Sequence, residues 1–131
     1  MPNKVCPRHK GEHPCTCGMG NLYRFVEPVV LLMLRQGGPS HGYDLHQAVS
    51  RHALTDADID RAALYRTLRT LEANGHVVSA WNTDEPGPPR RVYHLTDSGQ
   101  AHLTEWADVL SLLSQSMAKF VRKARKAPAA V

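Results

Sequence analysis

Asp60-Arg61-Ala62-Ala63-Leu64-Tyr65-Arg66-Thr67-Leu68-Arg69-Thr70-Leu71-Glu72-Ala73-Asn74-Gly75 carries the marks of one complete helix. Asp60 offers a side-chain oxygen to the unpaired N–H groups of a first turn, and Gly75 suits the left-handed position that closes a helix. The stretch therefore predicts a helix over 61–74. Leu64, Leu68 and Leu71 stand at i, i+4 and i+7 and share one face. At about 100° per residue, Arg66 and Arg69 fall on the opposite face with Ala62 and Ala73, and Arg61 and Tyr65 lie at its edge near the N-terminus. A DNA major groove about 12 Å wide admits one such helix, provided it has an apolar side for its own domain and a hydrogen-bonding, cationic side for the duplex. Arg66 and Arg69 supply bidentate donors for guanine O6/N7 or for phosphate. Arg61 and Tyr65 reach phosphate or base edges. Taken alone, the same helix also reads as a solvated basic face, so its neighbours decide.

Upstream, Val29–Gln36 predicts a helix buried on most sides, with Pro28 in its first turn and Gly37-Gly38-Pro39 as its stop. Leu22, Phe25 and Val26 precede it as a separate turn or an extension. Ser40 is a good N-cap for a second helix over 41–52, whose Leu45, Ala48 and Val49 fall at i, i+3 and i+4. A polar link, 53–59, leads to Asp60. Downstream, 76–81 and 91–95 are short β-prone runs. The stretch between them, 82–90, holds three Pro and a Gly and predicts a hairpin tip bearing Arg90, with Arg91 next to it. Such a basic tip suits a minor groove or the backbone beside it. Thr96-Asp97-Ser98-Gly99 then opens a helix that runs to about residue 127. The order helix, helix, helix, hairpin, helix is that of a winged helix-turn-helix. The fold class expected is mainly α with a small β-hairpin, a winged helix-turn-helix followed by a long C-terminal dimerisation helix.

That last helix carries Leu103, Trp106, Leu110, Leu113, Met117 and Phe120, spaced 3, 4, 3, 4 and 3 apart. This is a heptad seam. A small domain has little reason to extend so long a striped helix unless another helix packs on it, so the six are the expected dimer interface. Arg122, Lys123, Arg125 and Lys126 add a basic tail. Three segments follow: 1–20, a Cys/His-rich N-terminal segment; 21–95, the winged helix; and 96–131, the dimerisation helix and tail.

Several of these stretches together resemble one known family. Glu27-Pro28-Val29-Val30-Leu31-Leu32 and Ser40-His41-Gly42-Tyr43-Asp44-Leu45 look like the first two helices of PadR-type transcriptional regulators. Ala63–Gly75 looks like their recognition helix and its Gly exit. Arg90-Arg91-Val92-Tyr93-His94-Leu95-Thr96, followed by Gly99, looks like their second wing strand and the step into the last helix. The resemblance covers about residues 21–120. It implies a homodimer, usually a repressor, reading a pseudo-palindromic double-stranded operator, and a single C-terminal helix looks like the shorter subgroup. Tyr43, Tyr65, Arg66 and the Arg90/Arg91 pair match the DNA-facing positions. With Ser40, Arg61 and Arg69 they make the candidate DNA-binding set. Asp60-Arg61-Ala62-Ala63 departs from the small, often Pro-Gly-Thr-containing helix start of the family, so base preference does not transfer. Some relatives hold planar apolar ligands with a Trp on the last helix. Trp106 is the candidate here, though it lies a turn early, and it also reads as packing.

Cys6-x8-Cys15-x-Cys17 lies outside that pattern, with His9 and His13 between its cysteines. Three thiolates and an imidazole match a tetrahedral zinc site, and they equally suit an iron–sulfur cluster or another thiophilic metal. Thiol redox sensing and an inert arm are the other readings. Because the cluster leads directly into the first helix, a metal, a cluster or a redox change that orders this arm is expected to change the angle between two DNA-reading heads, and a small ligand is the alternative effector.

Composition bounds the rest. The chain has 131 residues and a formal net charge of +4, and 42% of it is hydrophobic, which fits one folded domain with a core of its own. Three Cys is an odd number for a disulfide framework. The longest apolar run, 29–34, is far short of the ~20 residues of a membrane span, and no secretory signal is visible, so a cytoplasmic protein is the simplest reading. No Gly-rich phosphate loop, His-Glu-x2-His or recognisable nucleophile setting marks an enzyme. The main rival is a metal- or cluster-handling protein whose winged helix binds another protein.

Overall fold

A computed structural model describes residues 25–54, 59–84 and 86–130. In chain order these form α1 (Val26–Gly37), β1 (Ser40–His41), α2 (Gly42–His52), α3 (Arg61–Ala73), β2 (Val77–Asn82), β3 (Arg90–Leu95) and α4 (Asp97–Lys126). The expected fold class holds: four helices with a small antiparallel sheet. Among the described residues, no helix is long and apolar enough to cross a membrane.

α1 is the centre of the body. It starts two residues earlier than Pro28 suggests, with Phe25 as N-cap, and Pro28 sits in the first turn, where no intrahelical N–H is lost. Val26, Val29, Val30, Leu31, Met33 and Leu34 are all buried, which is why the helix is apolar on nearly every side. It packs against α2, α3, α4 and β3. Gly38 ends it at φ 74°, donating its N–H to the Leu34 carbonyl at 3.1 Å.

The start of the second helix differs from expectation. Ser40 is not its N-cap. Ser40 and His41 are extended and pair with β3, Ser40 opposite Tyr93 and His41 opposite Val92. The helix begins at Gly42 with His41 as N-cap and no side-chain cap. β3 would otherwise have a bare edge beside the core, and a strand pairing there satisfies more backbone groups than one hydroxyl cap would. The Ser40 hydroxyl donates instead to the His41 carbonyl at 3.3 Å.

α3 forms as its sequence implies. The Asp60 carboxylate accepts the Ala63 N–H at 2.7 Å, and Leu64, Leu68 and Leu71 are fully buried. At the other end Gly75 stands at φ 81°. The Gly75 N–H reaches the Glu72 carbonyl and the His76 N–H reaches that of Leu71, the paired bonds of a Schellman close. β2 and β3 are each a residue longer at the tip than predicted, because Asn82 and Arg90 also pair. The sheet order is β1-β3-β2.

α4 is capped by Thr96, whose hydroxyl oxygen accepts the Gly99 N–H at 3.0 Å and whose hydroxyl donates to the Gly75 carbonyl at 2.7 Å. Its first turns dock on α1. Trp106 Nε1–H donates to Glu27 Oε1 at 3.1 Å, His102 Nε2 meets the same carboxylate oxygen, and the His102 ring stacks on His76 at 4.1 Å. Beyond Leu113 every described residue of α4 is exposed.

Candidate nucleic-acid interface

The buried leucine row of α3 fixes what the helix presents outward. Arg61, Ala62, Arg66, Arg69, Thr70 and Ala73 are exposed, while Tyr65 and Glu72 are half-buried on the side toward the sheet. Among the described residues, no acidic side chain pairs with Arg61, Arg66 or Arg69. Three exposed guanidinium groups thus stand on one surface, placed to meet an anionic partner.

Beside this face, α2, α3 and the sheet enclose an open cleft of about 490 Å³, lined by Tyr43, Tyr65, Arg90, Arg91, Tyr93 and the β1–α2 junction. Four of the candidate DNA-binding residues therefore converge although they come from three separate elements. Tyr43 is 54% exposed, and its hydroxyl accepts a bond from Gln47 Nε2 at 2.8 Å. Tyr65 leans over Gly42 so closely that a Cβ there would lie 2.7 Å from its ring. Tyr93 is buried below them. Burial pushes its phenol above the ordinary tyrosine value, with Arg91 pulling it back down and Glu72 adding to the rise. The floor of the cleft is thus a neutral phenol.

Neighbouring residues on a strand point to opposite faces, and the Arg90/Arg91 pair is divided accordingly. Arg90 is exposed opposite Asn82. Arg91 is tied to its own domain: Nε donates to Ser79 Oγ at 2.7 Å, a terminal nitrogen lies 3.5 Å from the Glu72 carboxylate, and the guanidinium sits over the Trp81 ring at 5.4 Å. Ser79 Oγ in turn donates to Glu72 Oε2 at 2.5 Å. Ser40 does not line this cleft. It borders a second one of about 360 Å³ between α1 and α2. Glu72, Ser79 and Trp81 are absent from the sequence-based set. Strand alternation could have placed Ser79 and Trp81 on one face, but the register that brings Arg91 and Tyr93 opposite them is set by the pairing.

The other candidates fall outside this surface. Cys6, His9, His13, Cys15 and Cys17 lie outside the described residues, and among the described residues no group of three or more His, Cys, Asp or Glu is placed to hold a metal ion. The heptad seam is divided. Leu103, 8% exposed, is spent in the chain's own core, and Trp106 packs against that core with its N–H on Glu27. Leu103 is thus taken up within the chain and Trp106 partly so, because α1 covers the first turns of α4. Leu110 and Leu113 are half-buried, while Met117 and Phe120 are exposed and joined by Val109, Leu112 and Val121.

With this arrangement in place, comparison with known proteins decides the family. The model of the PadR-like family of transcriptional regulators matches residues 30–105. The chain belongs to that family. The span runs from within α1 into α4 and so contains α2, α3 and both wing strands. This PadR-like protein is 39% identical over 77 residues to the transcriptional regulator Rv3488 of Mycobacterium tuberculosis, which covers 59% of this chain and 68% of the relative. Its fold is similar to that of a PadR family transcriptional regulator from Eggerthella lenta, with a TM-score of 0.59, 30% identity, and coverage of 71% of this chain and 80% of that one. A Streptococcus mutans protein, smu.1704, gives a TM-score of 0.62 at 29% identity, over 74% of this chain and 86% of that one. The protein is a transcriptional regulator with a DNA-binding winged helix, and it is not an enzyme.

Proposed function

We propose that this PadR-like regulator acts as a homodimeric repressor, laying α3 of each copy in successive major grooves of a pseudo-palindromic operator. The observation that carries the reading is the face of α3, where Arg61, Arg66 and Arg69 are exposed, with no acidic partner among the described residues, beside a cleft that gathers Tyr43, Tyr65 and Arg90. Arg66 and Arg69 read base edges or hold phosphates. Arg61, Tyr43 and Arg90 fix the register on the backbone. The reading of a dimer is supported by α4, where Val109, Leu112, Met117, Phe120 and Val121 are exposed among the described residues. A dimer on two half-sites occupies the duplex between them, which makes occlusion the simplest mode of control. A cytoplasmic location is part of the same reading.

The Cys/His segment is proposed as the effector site. Cys6, Cys15 and Cys17 with His9 or His13 have the donor chemistry for zinc or an iron–sulfur cluster, and visible absorption of the anaerobically purified protein tells the two apart. DNA binding is tested by replacing both helix arginines. Arg66→Ala with Arg69→Ala should weaken duplex binding and lower the slope of log affinity against log salt by about 2, since each lost phosphate contact removes about 0.9–1 from it. Unchanged salt dependence and affinity would exclude α3 as the DNA-reading helix.

A further inference from the structure

Along β2 the residues on one face pass from core to solvent: Val77 is fully buried, Ser79 half-buried and Trp81 62% exposed. Across from them β3 presents Leu95, Tyr93 and Arg91 in register. This face also carries the cleft shared by Tyr65 and Tyr93. Trp81 is thus a large exposed aromatic at the end of the surface that α3 and the cleft begin.

A single exposed apolar side chain is ordinary on a protein surface. The way Trp81 is held is not. The Arg91 guanidinium lies over its ring, Arg91 is fastened to Ser79 and Glu72, and Ser79 is fastened to Glu72 as well. Glu72 belongs to α3. A chain of polar contacts therefore runs from the recognition helix through both wing strands to the indole and fixes the ring at a set offset from α3. Arg91, balanced by Glu72, is poorly placed to serve as a free phosphate clamp, and its fork geometry is used to hold the ring.

We propose that Trp81 is a DNA-contacting residue of the wing, its indole laid on the apolar face of a deoxyribose at the minor-groove edge with its N–H toward a phosphate oxygen, and that Arg91 is its positioning residue. The proposal rests on the DNA-reading function of α3. An indole offers what the arginine face lacks: apolar area that suits sugar rings and unstacked base edges, together with one donor. Because the ring is tied to α3, its contact falls at a fixed distance from the bases that α3 reads. It thereby reports groove width at positions that no side chain reads directly.

The test uses full-length protein and a duplex that the protein itself selects from a random-sequence pool. In a Trp106→Phe background the sole indole is Trp81. Adding the duplex should quench its emission and shield it from acrylamide. Trp81→Ala should weaken binding about tenfold, the low end of what an aromatic–nucleotide contact contributes. Arg91→Lys keeps the charge but loses the planar fork, and should lower the fluorescence anisotropy of the free protein and weaken binding to a similar extent. Should Trp106→Phe fold poorly, the difference between wild type and Trp81→Phe supplies the same signal. A duplex that binds in an Arg69-dependent way while leaving Trp81 emission, quencher access and Trp81→Ala affinity unchanged overturns this contact and leaves the DNA reading standing. Failure to select any duplex overturns both.

Discussion

Gly42 and Tyr65 share one space: the first residue of α2 has no side chain, and the phenol ring from α3 fills the volume that a Cβ would need, 2.7 Å from where it would lie. The absence of a side chain at 42 is what lets the second and third helices seat the tyrosine over the cleft. Gly42→Ala should therefore push the Tyr65 ring aside. The clash is with the far end of a side chain, so the fold should survive with a stability loss of about 1 kcal/mol, within the usual cost of mild overpacking. Duplex affinity should fall by about tenfold, the loss of one positioned contact. Thermal unfolding alongside a mobility-shift titration checks both. A variant with wild-type affinity would remove Tyr65 from the interface.

Gly99 has a harder neighbour. A Cβ at 99 would lie 2.1 Å from the His76 carbonyl oxygen, which is backbone and is already held by the Thr96 N–H. Neither partner has a torsion that relieves the overlap. Gly99→Ala should cost about 3 kcal/mol or more, at the upper end of overpacking penalties. Denaturant unfolding measures it. A loss below about 1 kcal/mol would show that α4 can slide away from the turn at His76 at little cost.

The sequence made α3 legible because every signal agreed there: Asp60 caps it, three leucines share one face, and Gly75 closes it. The arginine face followed from the same period. Ser40 misled because a local cap competed with a strand pairing to Tyr93, more than 50 residues away, which no local pattern reveals. Leu103 and Trp106 carry the same spacing as Leu110 and Phe120, and periodicity does not say which turns of a long helix its own domain covers. Arg91 matched the DNA-facing pattern, yet Glu72 and Ser79 hold it within the domain. Charge on a wing is visible in sequence. Whether that charge is already engaged depends on which side chain stands across the ladder.

The exposed half of α4 carries the next prediction. Phe120 is 70% exposed and far along the helix from the head, so Phe120→Glu should leave the winged helix folded. In a dimer it would bring two carboxylates into an apolar seam. Light scattering should then report monomers, and operator affinity should drop about 100-fold or more as the second head ceases to bind as part of the same molecule. Dimeric mass for this variant and for Met117→Glu would exclude the distal stripe as the subunit contact.

The effector proposal is tested through the thiols. Only the thiolate ligates metal, so a Cys6→Ser, Cys15→Ser, Cys17→Ser triple variant removes the strongest ligands and changes each side chain by a single atom. The segment runs into the residues that precede α1, and Glu27 in the first turn of α1 holds both His102 and Trp106 of α4. A change in how the segment is held would thus act next to the joint that sets the direction of α4, the helix proposed to join two copies. Two heads must match half-sites about 34 Å apart or a multiple of that, so a small change in that direction is amplified at the operator. Operator affinity should differ between metal-loaded and chelator-treated wild type by about tenfold, a typical coupling of 1–3 kcal/mol, and should be insensitive to the same treatment in the triple variant. Four equal affinities would mean that the cysteines do not control DNA binding.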